Sequence, residues 1–268
     1  IRLIDVHEHL SSEQLRLKDT VDFFYWFQHY SSSDLVASGM NAADLRFIQN
    51  PSNPPDARWA KMAPFWPYVK FTGYGQALRI AARDLYNVPD IGPNTWRTLS
   101  ERISAANKPG FYDSTLREKA GIDLAILDCV TDDPYLGPQS EFFVYARDFD
   151  PLISMKNSAG LNKIESQYGF PIHSVNDIVT ILVLEFDRFA ERNIVAVKTK
   201  LAYHRPLLFL DVPAPEAEKA LKLLRTRKED APFELRRPLE DFIMHRIVEC
   251  CAKYDIPLQI HTGLQEGN

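Results

Sequence analysis

Residues 5–9 read Asp-Val-His-Glu-His, and the two histidines stand two apart where an apolar run gives out. Alternate residues of a β-strand share a face, so Asp5, His7 and His9 project one way and Ile4, Val6 and Glu8 the other. Two imidazoles on one face can present two nitrogens to a single metal ion. Taken alone, the pair reads equally well as a polar strand end with no ligand role. Two later stretches add to it. VAVKTK places Lys198 and Lys200 two apart at the end of another apolar run, and LQIHTG ends a third in His261. A lysine inside an apolar strand is expensive unless paired or used. Three strands that end in ligand-type or cationic side chains predict one chemically active rim.

Parallel strands separated by helices would position such a rim. IDLAILDCV is a nearly continuous apolar run, as for a strand buried on both faces, and FFVYARDFD, IVAVKTKLAY and IPLQIHTG follow as further strands. SVNDIVTILVLEFDRFAERN, EAEKALKLLRTRK and LEDFIMHRIVECCAKYD between them have helical spacing, and DSTLREKAG is a short helix closed by Gly121. The order argues an α/β fold. Residues 11–112 interrupt it as a helical excursion between the first and second strands. There TVDFFYWFQHY follows Thr20 as a cap, Asn41 caps NAADLRFIQN, GYGQALRIAARDLYN is a third helix, and Asn94 caps a fourth. The turn after the first strand, HEHLSSEQ, holds no glycine, against the glycine-rich turn of a doubly wound sheet. A (β/α)8 TIM barrel is therefore expected, with its site at the C-terminal strand ends. Five strands are legible where a barrel needs eight, and an open parallel sheet leaves unpaired backbone. The expectation is a single incomplete barrel domain over 1–268, its C-terminal strands absent from this chain.

Composition narrows the function classes. Apolar residues make up 45% and charged residues 25%, ordinary for a globular chain, and the net charge of −5 is interspersed, which gives no nucleic-acid footprint. No apolar run reaches membrane-spanning length, and no secretory signal opens the chain. Cys129, Cys250 and Cys251 are odd in number and lack metal spacing, so a reducing, cytoplasmic location is expected. The expected partner is a small-molecule substrate, and the sequence leaves a homo-oligomer open.

DVHEHL, VAVKTKLAYHR and LQIHTGL together resemble the amidohydrolase superfamily, with FluG-like amidohydrolase domains sharing the fourth-strand lysine and the HTG ending. The resemblance implies that His7, His9 and His261 bind a divalent metal, with zinc expected and manganese the alternative, as one or two ions. Lys198 stands where the family carries a lysine that is carbamylated or remains a cation, and Lys200 shares its face. A metal with an open position lowers the pKa of bound water from about 16 towards 7. The implied activity is a hydrolase in which metal-activated water attacks a small polar amide, ester or lactone. The Asp that manages that water's proton in the family belongs to the eighth strand, beyond this chain.

QHYSSSDLVASGM further resembles the segment after the His-x-His pair in uronate isomerases. His29 and Tyr30 match that family's His-Tyr pair, and SSSD replaces the basic residues that follow it there. This implies the alternative activity, sugar-acid isomerisation with His29 or Tyr30 moving protons; a packed histidine in an aromatic helix reads as well for His29. A non-catalytic barrel domain is the third reading. Tyr203 and Arg205 are candidate substrate contacts, Arg205 as a bidentate clasp on a carboxylate. Arg147 offers the same chemistry, or a surface ion pair with Asp148 or Asp150. Asp5 is either an outer partner of the histidines or bonded to nearby backbone. Either Asp128 or Cys129 faces the rim. His204, His173 and His245 read as structural.

Overall fold

The computed structural model describes residues 2–128 and 142–262, so Cys129 and Gly263 lie outside the described residues. The chain divides into two compact units, Ser11–Ile122 and Leu3–Leu10 together with Asp123–Gly263.

The second unit is built on five strands: β1 (Leu3–Glu8), β2 (Ile122–Asp128), β3 (Phe143–Asp148), β4 (Ile194–Thr199) and β5 (Leu258–Ile260). They form one sheet in chain order. The ladders are parallel, with Asp128 opposite Ala146, Asp148 opposite Lys198 and Lys198 opposite Gln259. Parallel order brings all the C-terminal strand ends to one edge, so that Asp128, Asp148 and Lys198 become neighbours there. Helices at Ser158–Tyr168 and Val175–Phe186 connect β3 to β4, and helices at Ala214–Thr226 and Phe233–Tyr254 connect β4 to β5. The start of Val175–Phe186 is set by a capping box, in which Ser174 and Asp177 satisfy each other's backbone donors. Its buried residues, among them Ile178, Ile181 and Leu182, are the helical-period positions legible in the sequence.

The expected (β/α)8 TIM barrel is corrected here. The described residues make one open, five-stranded parallel half-barrel in which β1 and β5 are edges, and the α/β class holds. Closure requires the last strand to hydrogen-bond to the first along its backbone, whereas Gln259 Nε2 reaches the Val6 carbonyl at 3.0 Å from a side chain. As an edge strand, β1 leaves Leu3, Ile4 and Val6 about half exposed.

The unit Ser11–Ile122 is built of short helices. A 3-10 turn at Phe23–Phe27 buries Phe23, Phe24 and Phe27 completely, and each such ring contributes roughly 2–3 kcal/mol. Its cap is Asp22, whose carboxylate accepts from the Phe24 and Tyr25 amides, and not Thr20. The same carboxylate receives Arg58 Nη1 at 2.5 Å, while Arg58 Nε donates to the Ile48 carbonyl at 2.6 Å. These bonds let a guanidinium sit at 1% exposure in an aromatic core. Asn41 caps Ala42–Gln49 as the sequence indicates, but Thr95 occupies the cap position of Trp96–Ala106 in place of Asn94. Gly75, in the first turn of Gly73–Tyr86, has no alternative: a Cβ there would collide with the Val69 carbonyl oxygen. Among the described residues, no helix is long and apolar enough to cross a membrane.

Candidate metal centre

At the C-terminal edge of the sheet, β1 delivers His7 inside the strand and His9 just beyond it. Their Nε2 atoms face each other at 2.8 Å. At that distance one imidazole N–H donates to the other ring's nitrogen. β2 adds Asp128, which is 6% exposed and holds Oδ2 3.9 Å from His9 Nδ1. One donor atom from each of His7, His9 and Asp128 lies within 4.8 Å of the others, a nitrogen–oxygen donor set that suits a divalent ion. Asp5 is spent locally, its Oδ1 accepting from the His7 amide at 3.1 Å.

The electrostatics keep these donors ready. His7 and His9 stay open to solvent, yet partial burial lowers both imidazole pKa values. For His7 the Lys198 charge adds to the lowering, and Asp128 opposes it at both rings. Neutral imidazole is the form that binds a metal. Lys198 is 3% exposed, and its Nζ lies 3.3 Å from His7 Nδ1. Burial, and the neighbouring Lys200 charge, hold its ammonium below the ordinary range against the pull of Asp128 and Asp148.

Lys200 plays a different part although it is only two residues on. Its Nζ spans Asp128, at 3.2 and 3.3 Å from the two oxygens, and Asp148 at 2.9 Å. Burial works against its charge, but the two carboxylates outweigh it and raise its pKa. Asp150 completes the floor, accepting from Thr199 Oγ1 and from the Lys200 amide, each at 2.6 Å. Burial and then the Asp148 charge push Asp150 up to about 6.

His261 leaves β5 with its amide bonded to the Thr199 carbonyl at 2.9 Å, and its ring lies 5.9 Å from that of His7. Its Nε2 is engaged by the Tyr203 hydroxyl at 2.7 Å. So the structure groups His7, His9, Lys198, His261 and Tyr203 at one edge and adds Asp128, which sequence parity left level with Cys129. Arg205 is not on offer in the same way. Its Nη1 meets Glu240 at 2.7 Å and its Nη2 meets Asp241 at 2.5 Å, all three side chains being almost fully buried. Arg147 pairs with Glu185 at 3.2 Å, both side chains being buried. His29 and Tyr30 belong to the helical unit, their rings 4.2 Å apart and Tyr30 stacked on Tyr74 at 5.7 Å.

No protein-family model matches the chain, and no curated protein matches it. Solved structures do share its fold. A uronate isomerase from Thermotoga maritima superimposes with a TM-score of 0.74 at 12% identity over 98% of this chain. A glucuronate isomerase from Caulobacter crescentus gives 0.74 at 15% identity over 98%. A protein from Lactobacillus casei, provisionally described as a metal-dependent hydrolase, gives 0.50 at 15% over the whole chain. This chain covers 60%, 58% and 59% of those three, so it spans about three fifths of the proteins whose fold it shares.

Proposed function

We propose that this protein is a metal-dependent enzyme of amidohydrolase-like type, with one divalent ion, zinc or manganese, held by His7, His9 and Asp128. The observation that carries the reading is the convergence of those three donors at the C-terminal edge of a parallel sheet. When bound, such an ion acts as a Lewis acid on an oxygen of a small polar substrate. The chain's own groups supply the remainder. Lys198 places a cation beside His7. Lys200 neutralises Asp128 and Asp148, and the Tyr203–His261 pair offers a hydroxyl and an imidazole joined by a 2.7 Å hydrogen bond.

Isomerisation of a sugar acid is the reaction we favour. Its support is the fold likeness to two uronate isomerases over 98% of the chain, helical unit included, together with the His29-Tyr30 pair. Hydrolysis of a small carbonyl substrate is the second reading, supported by the same donor set and by the Lactobacillus casei neighbour. Zinc- or manganese-loaded protein incubated with glucuronate and other hexuronates, and separately with lactones and amides, distinguishes them by mass spectrometry. Isomerisation leaves substrate mass unchanged in water and incorporates solvent deuterium at carbon in heavy water, whereas hydrolysis adds one water. Turnover that survives His7→Ala/His9→Ala, or turnover equal with and without metal, sinks the metal-dependent reading.

A further inference from the structure

We infer that Tyr74 is a positioning residue for the His29-Tyr30 pair: its ring backs that of Tyr30, so that losing it lowers turnover and leaves KM nearly unchanged. The inference rests on the isomerase reading above, in which His29 or Tyr30 moves a proton. Every residue it uses lies within the unit Ser11–Ile122.

The backbone of the pair is set by the helix Ser31–Ala37, into which it leads. The His29 carbonyl accepts from the Ser32 amide at 2.8 Å, and the Tyr30 carbonyl from the Ser33 amide at 3.0 Å. Such bonds fix the backbone but leave the side-chain torsions open. Tyr30 is exposed, so core packing does not choose its rotamer. A neighbouring ring does. The Tyr74 ring lies parallel to that of Tyr30, with an interplanar angle of 5° and centroids 5.7 Å apart, an offset stack. The His29 ring also lies against Tyr30, at 4.2 Å, so whatever orients Tyr30 orients both members of the pair.

Tyr74 can serve as that wall because its own place is fixed. It stands in the first turn of Gly73–Tyr86, whose cap Thr72 accepts from the Gly75 amide at 3.0 Å. A side chain at Gly75 would collide with the Val69 carbonyl, so this turn is seated directly on the helix Trp66–Val69. The Thr72 hydroxyl also meets the Asp34 carboxylate. Asp34 stands one helical turn after Tyr30 and shares its face. That face is therefore held to the start of Gly73–Tyr86 at two points, Asp34 on Thr72 and Tyr30 on Tyr74.

The test joins a resonance to kinetics. In full chain carrying labelled histidine, the His29 ring protons are followed by NMR, assigned with His29→Gln, and the Tyr30 ring current sets their shift. Tyr74→Leu moves that resonance, Tyr74→Phe leaves it in place, and Tyr74→Leu has no such effect in a Tyr30→Ala background. On the hexuronates that wild-type, metal-loaded protein isomerises, Tyr74→Leu lowers kcat about tenfold, the upper end of what one stacked ring pair supplies, with KM nearly unchanged. Tyr74→Phe restores kcat. An unmoved His29 resonance in Tyr74→Leu overturns the inference. So does an equal loss of kcat in Tyr74→Phe, which would make the hydroxyl and not the stack the working feature. Wild-type protein that isomerises no hexuronate removes the isomerase reading and the effect on turnover with it, whereas the resonance still decides whether Tyr74 orients the pair.

Discussion

Lys198 and Lys200 show how far two like residues on one strand end can diverge. Lys198 lies against a neutral imidazole and is destabilised as a cation, whereas Lys200 bridges Asp128 and Asp148 and is stabilised as one. Replacing Lys200 therefore strands two carboxylates of low exposure. Breaking a buried pair from one side costs about 3–5 kcal/mol. Lys200 keeps 22% of its side chain exposed, so Lys200→Met is expected to cost less, about 2 kcal/mol. Urea unfolding at neutral pH measures this, and a change below a few tenths of a kcal/mol would show that water already screens the triad.

Asp150 couples one strand end to the next element. It begins the helical turn after β3, and its carboxylate receives the side chain of Thr199 and the backbone of Lys200 at the end of β4. Its folded pKa, pushed up to about 6 by burial and by Asp148, lies above its ordinary value of 3.8. The folded state therefore binds more protons than the unfolded state between these values. The resulting stabilisation is complete below the ordinary value and is lost as pH rises through about 6. The difference in unfolding free energy between wild type and Asp150→Asn should accordingly change across that window and level off above it. A difference that stays constant from acid to neutral pH would remove Asp150 as a titrating group.

At the scale of the molecule, the donors of the candidate centre come from separate strands, β1 and β2, that are far apart in the chain. An ion held only when both strands are folded stabilises the native state by mass action. At free zinc about a hundredfold above the dissociation constant, the gain is about 2.7 kcal/mol. The melting temperature should rise by about 5–10 °C for a chain of this size and return on chelation. His7→Ala/His9→Ala protein should show no such rise, and an equal rise in that variant would place the bound zinc elsewhere.

Local pattern was enough to place much of this protein. The spacing of His7 and His9, the apolar runs of β2 to β5, the Asn41 cap and the Ser174 helix start are each written within a few residues, because strand and helix periods act at that range. Partners across the sheet are not local. Whether Asp128 or Cys129 faces the rim depends on strand parity, which a single buried run does not reveal, and Asp128 became a donor candidate only through its place beside His9. Arg205 could have clasped a substrate on sequence grounds, but two buried carboxylates from the helix Phe233–Tyr254 already hold it. The glycine-free turn after the first strand pointed to a barrel, whereas closure is a matter of which strand bonds to which, and the described strands form an open five-stranded sheet. Sequence by itself thus determined which side chains could do chemistry and on which elements they sit. Tertiary structure decided which of them meet, because the register between strands and the pairing of buried charges are set by contacts distant in the chain.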